Sequence, residues 1–106
     1  MIKVVVTVPE SHANVLRKAI GNAGGGEIGN YSYCSFSVKG VGRFRPDSGA
    51  SPFLGKEGEL ESVFEERIEF NCSKKNLKQV IQAIRKVHPY EEPVIDIYRL
   101  ISESSL

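Results

Sequence analysis

The side chains best suited to chemistry cluster in two stretches of the sequence, residues 29–46 and residues 88–98. His88 and Glu91 from the second stretch, with Cys34 from the first, could supply imidazole, carboxylate and thiolate ligands for a divalent or cuprous ion. A metal site needs three or four converging ligands, and only two of these lie close together in sequence. The alternative role of His88 is structural, because a partly positive imidazole at a helix C-terminus stabilises the helix dipole.

The first stretch leads into a glycine-rich segment, residues 40–58, which is predicted to be one long loop. Basic side chains stand there among glycines that leave backbone N–H groups accessible, a composition that suits phosphate or carboxylate. The candidate anion-binding residues are Lys39, Gly40, Gly42, Arg43 and Arg45. No Walker motif occurs, and two glycines without a third are a weak nucleotide fingerprint. The alternative is a flexible hairpin tip with solvated charges.

No catalytic residue is predicted. Glu91 and Glu92 are adjacent, so on an extended segment they point in opposite directions and cannot act as one carboxylate pair. Cys34 would need a base and oxyanion donors to act as a nucleophile, and a mid-strand cysteine beside Phe36 is more often buried and inert. An enzyme is therefore the third hypothesis, after a binding module and a purely structural module.

Length and composition indicate one globular domain. The chain has 106 residues, 41% apolar and 25% charged, with a formal charge of +1. Near-neutral charge argues against a dedicated nucleic-acid binder or a polybasic membrane binder. No apolar run approaches the ~20 residues that span a bilayer, and the first residues lack the pattern of a signal peptide. Two cysteines are too few for a disulfide scaffold, so we expect reduced thiols and a cytoplasmic location.

The elements that must position these residues follow the order β-α-β-β-α-β. A nearly continuous β-branched run predicts a central strand over 1–8, and alternating apolar residues predict strands over 31–38 and 63–72. A fourth strand is predicted over 93–101. Helical spacing predicts one helix after Pro9 and a second after Ser73, with Ser73 as its N-cap. This order predicts an α+β, ferredoxin-like sandwich over residues 1–101, with two helices on one face of a four-stranded antiparallel sheet. Residues 102–106 are expected to be a frayed tail.

The predicted hairpin of strands two and three also places the cysteines. With its turn near Gly49, Cys34 would face Phe64, and Cys72 would lie about 26 Å further along the ladder. Because a disulfide needs Cα atoms within about 7 Å, we expect none within the chain.

The predicted strands carry apolar side chains on both faces, yet two helices can cover only one. In strand four, for example, one face carries Val94, Tyr98 and Leu100, and the other carries Ile95, Ile97 and Ile101. We expect self-association through the sheets to cover the second face. The alternative is a sparse open face that tolerates a few tyrosines.

The two stretches also carry a set of aromatic, proline and acidic residues in a recognisable order. These residues are Tyr31, Ser35, Phe36, Pro89, Tyr90, Glu92, Pro93, Asp96 and Tyr98. From Val4 to Leu100, the chain resembles the domain inserted in the middle of the hexameric dinuclear-metal proteins of the Nif-three-like family, once labelled GTP cyclohydrolase type two. The second stretch is also similar to the divalent-cation-tolerance protein CutA, and both relatives share the PII-like signalling fold.

The resemblance implies a stand-alone, trimeric domain of PII or CutA type, in which the segment 40–58 senses ligands and contacts partners. The metal-ligating residues of the family lie in flanking regions outside this sequence, so no dinuclear centre or hydrolase activity is implied. The prediction is a non-catalytic, small-molecule- or metal-responsive binding module that acts as a homo-oligomer. Its partner at residues 40–58 would be a small anionic ligand or a protein, and neither nucleic acid nor membrane. The alternative is a purely structural assembly or docking module without a ligand.

Overall fold

Two helices pack on one face of a four-stranded antiparallel sheet, in a computed structural model that describes all residues from 1 to 106. The sheet order is β2-β3-β1-β4. The predicted ferredoxin-like α+β fold is confirmed. In chain order the elements are β1 (Ile2–Pro9), α1 (Glu10–Asn22), β2 (Phe36–Phe44), β3 (Glu61–Cys72), α2 (Lys74–Val87) and β4 (Ile95–Arg99), followed by one exposed 3₁₀ turn at Glu103–Ser105.

The core lies between the sheet and the helices. Strand β1 lies between β3 and β4, as its nearly continuous apolar sequence predicts, and every second side chain faces the helices. The buried apolar residues form one cluster: Ile2, Val4, Val6, Val8, Ala13, Leu16, Ile20, Ile68, Phe70, Cys72, Val80 and Ile84. Ser73 caps α2 as predicted, because its side chain accepts a hydrogen bond from the Asn76 N–H at 3.2 Å.

The prediction for strand two is wrong at both ends, because β2 spans Phe36–Phe44 instead of 31–38. Residues 31–35 are held against the end of α1. Tyr33 has a left-handed φ of 59°, its hydroxyl donates to Asn22 Oδ1 at 2.5 Å, and its ring lies where a Cβ at Gly21 would be. Since residues 40–44 are strand, the loop between β2 and β3 covers residues 45–60.

The hairpin register also differs from the prediction. Phe64 pairs with Val41 and not with Cys34. The loop that joins β2 and β3 covers residues 45–60, so its centre lies later in the chain than Gly49. The Cys34 N–H donates to the Gly26 carbonyl, and the Gly26 N–H donates to the Asn71 carbonyl, so Cys34 lies beside the Cys72 end of β3. The separation of about 26 Å expected from the ladder is therefore wrong. Both cysteines are free, with Cys72 buried in the core.

The sheet face away from the helices, here called the open face, is uncovered in the single chain. Its apolar side chains include Phe36 and Tyr98, which are 64% and 54% exposed, and Val38. The strand register places Phe36 in line with Val5 and Tyr98 opposite Lys3, on the face away from the buried row of β1. No helix has both the length and the apolar character to cross a membrane.

Candidate functional site

A cavity of about 650 Å³ opens between the end of β2, the 45–60 loop and the segment that follows α2. Strand β2 supplies residues 41–44, β3 supplies Glu65, and the segment after α2 supplies Tyr90, Glu91 and Glu92. The loop covers the remaining side with Phe53 and its neighbours. The volume is within the range of small-molecule binding sites.

A buried carboxylate lies in the wall of this cavity. Glu65 is only 8% exposed, and the Tyr90 hydroxyl donates to its Oε2 at 2.7 Å. Gly42 on β2 makes room for this carboxylate, since a Cβ at that position would lie 2.1 Å from Glu65 Oε1. Burial, with the hydrogen bond to Glu65, raises the pKa of Tyr90, so the phenol stays protonated and acts as a donor. No lysine, arginine or histidine forms an ion pair with Glu65.

His88 holds the segment that carries Tyr90. Its Nδ1 lies 3.1 Å from the Tyr90 backbone N–H and must accept, so we assign the proton to Nε2, which donates to the Thr7 carbonyl at 2.7 Å. Burial lowers the pKa of His88, although the Thr7 carbonyl and Glu65 oppose the shift. The imidazole is therefore neutral. The expectation of a partly positive imidazole at the helix end is wrong, because burial outweighs the favourable groups around it.

Aromatic rings form the apolar part of the site. The ring centroid of Tyr90 lies 5.9 Å from that of Phe44 and 6.5 Å from that of Phe53. Phe53 also makes an edge contact with His12 of α1 at 5.4 Å. The Ser51 N–H donates to Glu91 Oε1 at 3.1 Å, which ties the loop to the segment after α2. The loop is thus placed over the cavity by two contacts from different elements.

The predicted anion-binding residues are only partly assembled. Gly42, Arg43 and Arg45 line the cavity, whereas Lys39 and Gly40 do not. Arg45 is paired with Asp47 at 3.0 Å, and Arg43 makes no ion pair. Four carboxylates line the cavity beside these two guanidinium groups: Asp47, Glu65, Glu91 and Glu92. Glu91 and Glu92 were expected to diverge on an extended segment, but residues 90–92 form a bend, so both line the same cavity. The lining is therefore net acidic, in contrast to the basic site expected from the loop composition.

The predicted metal ligands His88, Glu91 and Cys34 are not brought together, and no group of three or more His, Cys, Asp or Glu side chains is arranged to hold a metal ion. Both ring nitrogens of His88 are engaged, and Glu91 accepts from the loop backbone. Cys34 instead lines a small crevice beside Tyr33 and Gly21, at the end of α1.

The remaining residues of the two sequence motifs have separate positions. Pro89 and Pro93 flank the turn that carries Tyr90 and Glu92 to the cavity, and Asp96 and Tyr98 lie on β4. In the first motif, Tyr31 forms a bridge with Ile28, Ser35 precedes β2, and Phe36 begins it.

Glu65 and Phe53 line the cavity although no sequence motif marks them as site residues. Gly42 could have indicated Glu65, because a glycine inside a strand is unfavourable unless another group approaches the backbone closely, as the Glu65 carboxylate does here.

No family model matches the chain. The chain is 48% identical over 103 residues to a protein of Halalkalibacterium halodurans called GTP cyclohydrolase 1 type 2 homolog, and 51% identical over 96 residues to a Bacillus subtilis protein of the same name. These matches cover 97% and 91% of this chain but 28% and 26% of the two relatives. The chain thus spans about a quarter of the length of the curated relatives it matches.

Solved structures agree with these matches. A Bacillus cereus protein related to NIF3 superposes with a TM-score of 0.83 at 46% identity, over 95% of this chain and 26% of that protein. The PII-like protein CutA from Nostoc superposes over all of this chain and 86% of its own, with a TM-score of 0.70 at 18% identity, which shows a shared fold. The resemblance predicted from the sequence is confirmed.

Proposed function

Because the chain is a NIF3-family domain with the fold of the PII-like CutA proteins, we propose that it is a non-catalytic module that binds a small molecule in the cavity beside Glu65 and acts as an oligomer. The observation that carries the proposal is the Glu65–Tyr90 pair in the cavity wall. A buried carboxylate is costly unless it is satisfied, so its position at a cavity that can admit a small molecule favours a binding role.

The 45–60 loop is the part of the site that would respond to binding. It contributes Phe53 to the cavity and is tied to the segment after α2 through the Ser51–Glu91 hydrogen bond. A ligand that contacts both Phe53 and Tyr90 would restrain the loop, and the restrained loop would present a different surface to a protein partner. In this way ligand binding would regulate the contact between the loop and a protein partner.

Thermal unfolding and hydrogen exchange test the proposal with a panel of nucleotides, organic amines, zinc and cuprous ions. A ligand at a hundred times its Kd stabilises the folded state by about 2.7 kcal/mol. We expect at least one compound to raise the midpoint and slow exchange in residues 45–60. Phe53→Ala should abolish both effects, whereas Leu60→Ala, at an 84% exposed position of the same loop, should keep them. No response to any compound would count against a ligand-binding function.

The metal-responsive form of the proposal has its own test. Calorimetry with zinc and cuprous ions on the wild type and His88→Ala would show whether a metal binds and whether His88 is a ligand. Since both ring nitrogens of His88 are engaged, we expect the two proteins to give the same result. Binding that is lost in His88→Ala, with the fold intact, would favour a metal site.

The oligomer proposed here is a trimer held together through the open face. Phe36, Val38 and Tyr98 give that face its exposed apolar surface, and a second copy would cover it. Sedimentation velocity at micromolar concentration should give a trimer for the wild type and a monomer for Phe36→Ser/Tyr98→Ser. Leu60→Ser, which removes an exposed leucine outside this face, should remain trimeric. A monomeric wild type would contradict the proposal.

The second candidate is a purely structural assembly module without a ligand, and the same open face favours it. The two candidates differ in their response to the compound panel. An oligomer that forms normally while no compound alters its stability or loop exchange would favour the structural module. The proposed compartment is the cytoplasm, because both cysteines are free, as is usual in a reducing environment.

A further inference from the structure

We propose that the ligand of this cavity is an organic cation, in which an amine, amidinium or guanidinium group pairs with Glu65 and an apolar or flat body lies against Tyr90, Phe44 and Phe53. This inference rests on the proposed binding function and names the chemical class of its ligand.

The buried Glu65 side chain lacks a counter-charge. The residue is 92% removed from solvent, yet no lysine, arginine or histidine forms an ion pair with it, since both ring nitrogens of the nearby His88 are engaged elsewhere. Its one side-chain hydrogen bond comes from the neutral Tyr90 hydroxyl. Buried charges in proteins are ordinarily paired. The cavity beside Glu65 leaves space for a cation that the protein does not supply.

The charge of the surrounding cavity lining also favours a cation. Of the two arginines there, Arg45 is already paired with Asp47, which leaves only Arg43 to meet an anion. Glu91 and Glu92 add two further carboxylates to the same lining, so its field attracts cations and repels anions. An anionic ligand would have to approach Glu65 against this field.

The side chains around the cavity suit an organic cation better than a metal ion. No three metal-ligating side chains converge here, so the first shell of a divalent ion would be mostly water. Aromatic rings lie together here instead: the ring centroid of Tyr90 is 5.9 Å from that of Phe44 and 6.5 Å from that of Phe53. Aromatic faces attract amines and guanidinium groups and also bury an apolar body, which a hydrated metal ion cannot use.

Three flat probes of the same size separate the alternatives: benzamidine is a cation, benzamide is neutral and benzoate is an anion. Each would be titrated into the protein while amide chemical shifts of Gly42, Phe53 and Tyr90 are followed by NMR. We expect benzamidine to shift these signals and to bind at least about tenfold more tightly than benzamide, with no binding of benzoate. Equal binding of benzamidine and benzoate would overturn the inference.

Two variants test whether the preference for benzamidine over benzamide depends on the Glu65 carboxylate. Glu65→Gln keeps the size and the acceptor for Tyr90 but removes the charge, so the benzamidine preference over benzamide should disappear. Glu69→Gln on the same strand, whose carboxylate is paired with Arg67 away from the cavity, should keep it. A preference that survives in a folded Glu65→Gln protein would overturn the inference, and the comparison of probes on the wild type remains decisive if that variant does not fold.

The outcomes also separate this inference from the proposed function. If AMP or another anion shifts Phe53 and Tyr90 while benzamidine does not, the ligand class is wrong and the binding function stands. The same conclusion follows if zinc alone produces the shifts. If none of the benzamidine, AMP and zinc titrations affects these residues, both proposals fail.

Discussion

Gly42 offers a sharp test of the site, because it lies against a side chain and not against backbone. A Cβ at Gly42 would lie 2.1 Å from Glu65 Oε1 and 2.4 Å from Cδ, so Gly42→Ala must displace a carboxylate that is buried and held by Tyr90. Gly40, two residues earlier on the same strand face, has no atom within 4 Å of the corresponding position. Gly40→Ala is therefore the matched control.

The expected magnitudes follow from two opposing effects. A hydrogen bond to a charged group contributes about 1.5–3 kcal/mol, and displacing Glu65 loses the one from Tyr90. Replacing glycine by alanine inside a strand gains about 0.5–1 kcal/mol. Gly42→Ala should thus lower the free energy of unfolding by about 1–2 kcal/mol, whereas Gly40→Ala should raise it by up to about 1 kcal/mol. At this chain length, 1 kcal/mol corresponds to about 4–8 °C in Tm.

Urea denaturation followed by circular dichroism, at one fixed protein concentration, measures these differences. A third variant isolates the cause: in a Glu65→Ala background the displaced carboxylate is absent, so Gly42→Ala should no longer destabilise. Equal effects of Gly42→Ala and Gly40→Ala in the wild type would refute the close approach of Glu65 to β2. A full cost of Gly42→Ala in the Glu65→Ala background would refute the assigned cause.

Three further predictions follow from individual side chains. Burial lowers the pKa of His88 in the folded protein, so as the pH falls the unfolded chain takes up the proton first. The free energy of unfolding should therefore decrease as the pH falls below about 6.5. The difference between the urea midpoints at pH 7.5 and pH 5.5 should be smaller in His88→Gln than in the wild type. Burial raises the pKa of Cys72, so Cys34 should react with iodoacetamide at least about tenfold faster than Cys72. Peptide mapping measures the two alkylation rates, and equal rates would contradict the buried position of Cys72. Ser73→Ala should cost about 1 kcal/mol in urea denaturation through loss of the helix cap, with Ser102→Ala at the exposed 3₁₀ turn as a control that leaves stability unchanged.

The fold could be predicted because its signals are local and periodic. The β-branched run of β1, the apolar stripe of α2 and the capping serine at Ser73 each match the observed elements. The start of β2 could not be predicted from a local periodic pattern. Residues 31–35 alternate like a strand, but Tyr33 packs on Gly21 of α1, and a contact between distant residues leaves no periodic signal.

The site was harder to predict than the fold. The alternation of Glu65, Arg67 and Glu69 on β3 is typical of a solvated face, and only Arg67 and Glu69 form the ion pair that such a face suggests. Glu65 is buried because the 45–60 loop and the segment after α2 close over the end of the sheet. The sequence pattern predicts which face a strand residue occupies, but not which loop returns to cover it.

The sheet ends in two edge strands, β2 and β4, whose outer backbone groups have no strand partner. Such edges invite pairing with other chains unless they are short, charged or weak strand formers. Strand β4 has only five residues, and β2 carries Gly40, Gly42, Lys39 and Arg43. Both edges therefore disfavour the addition of a further strand, so the oligomer proposed above would form through the face of the sheet and not by edge-to-edge pairing.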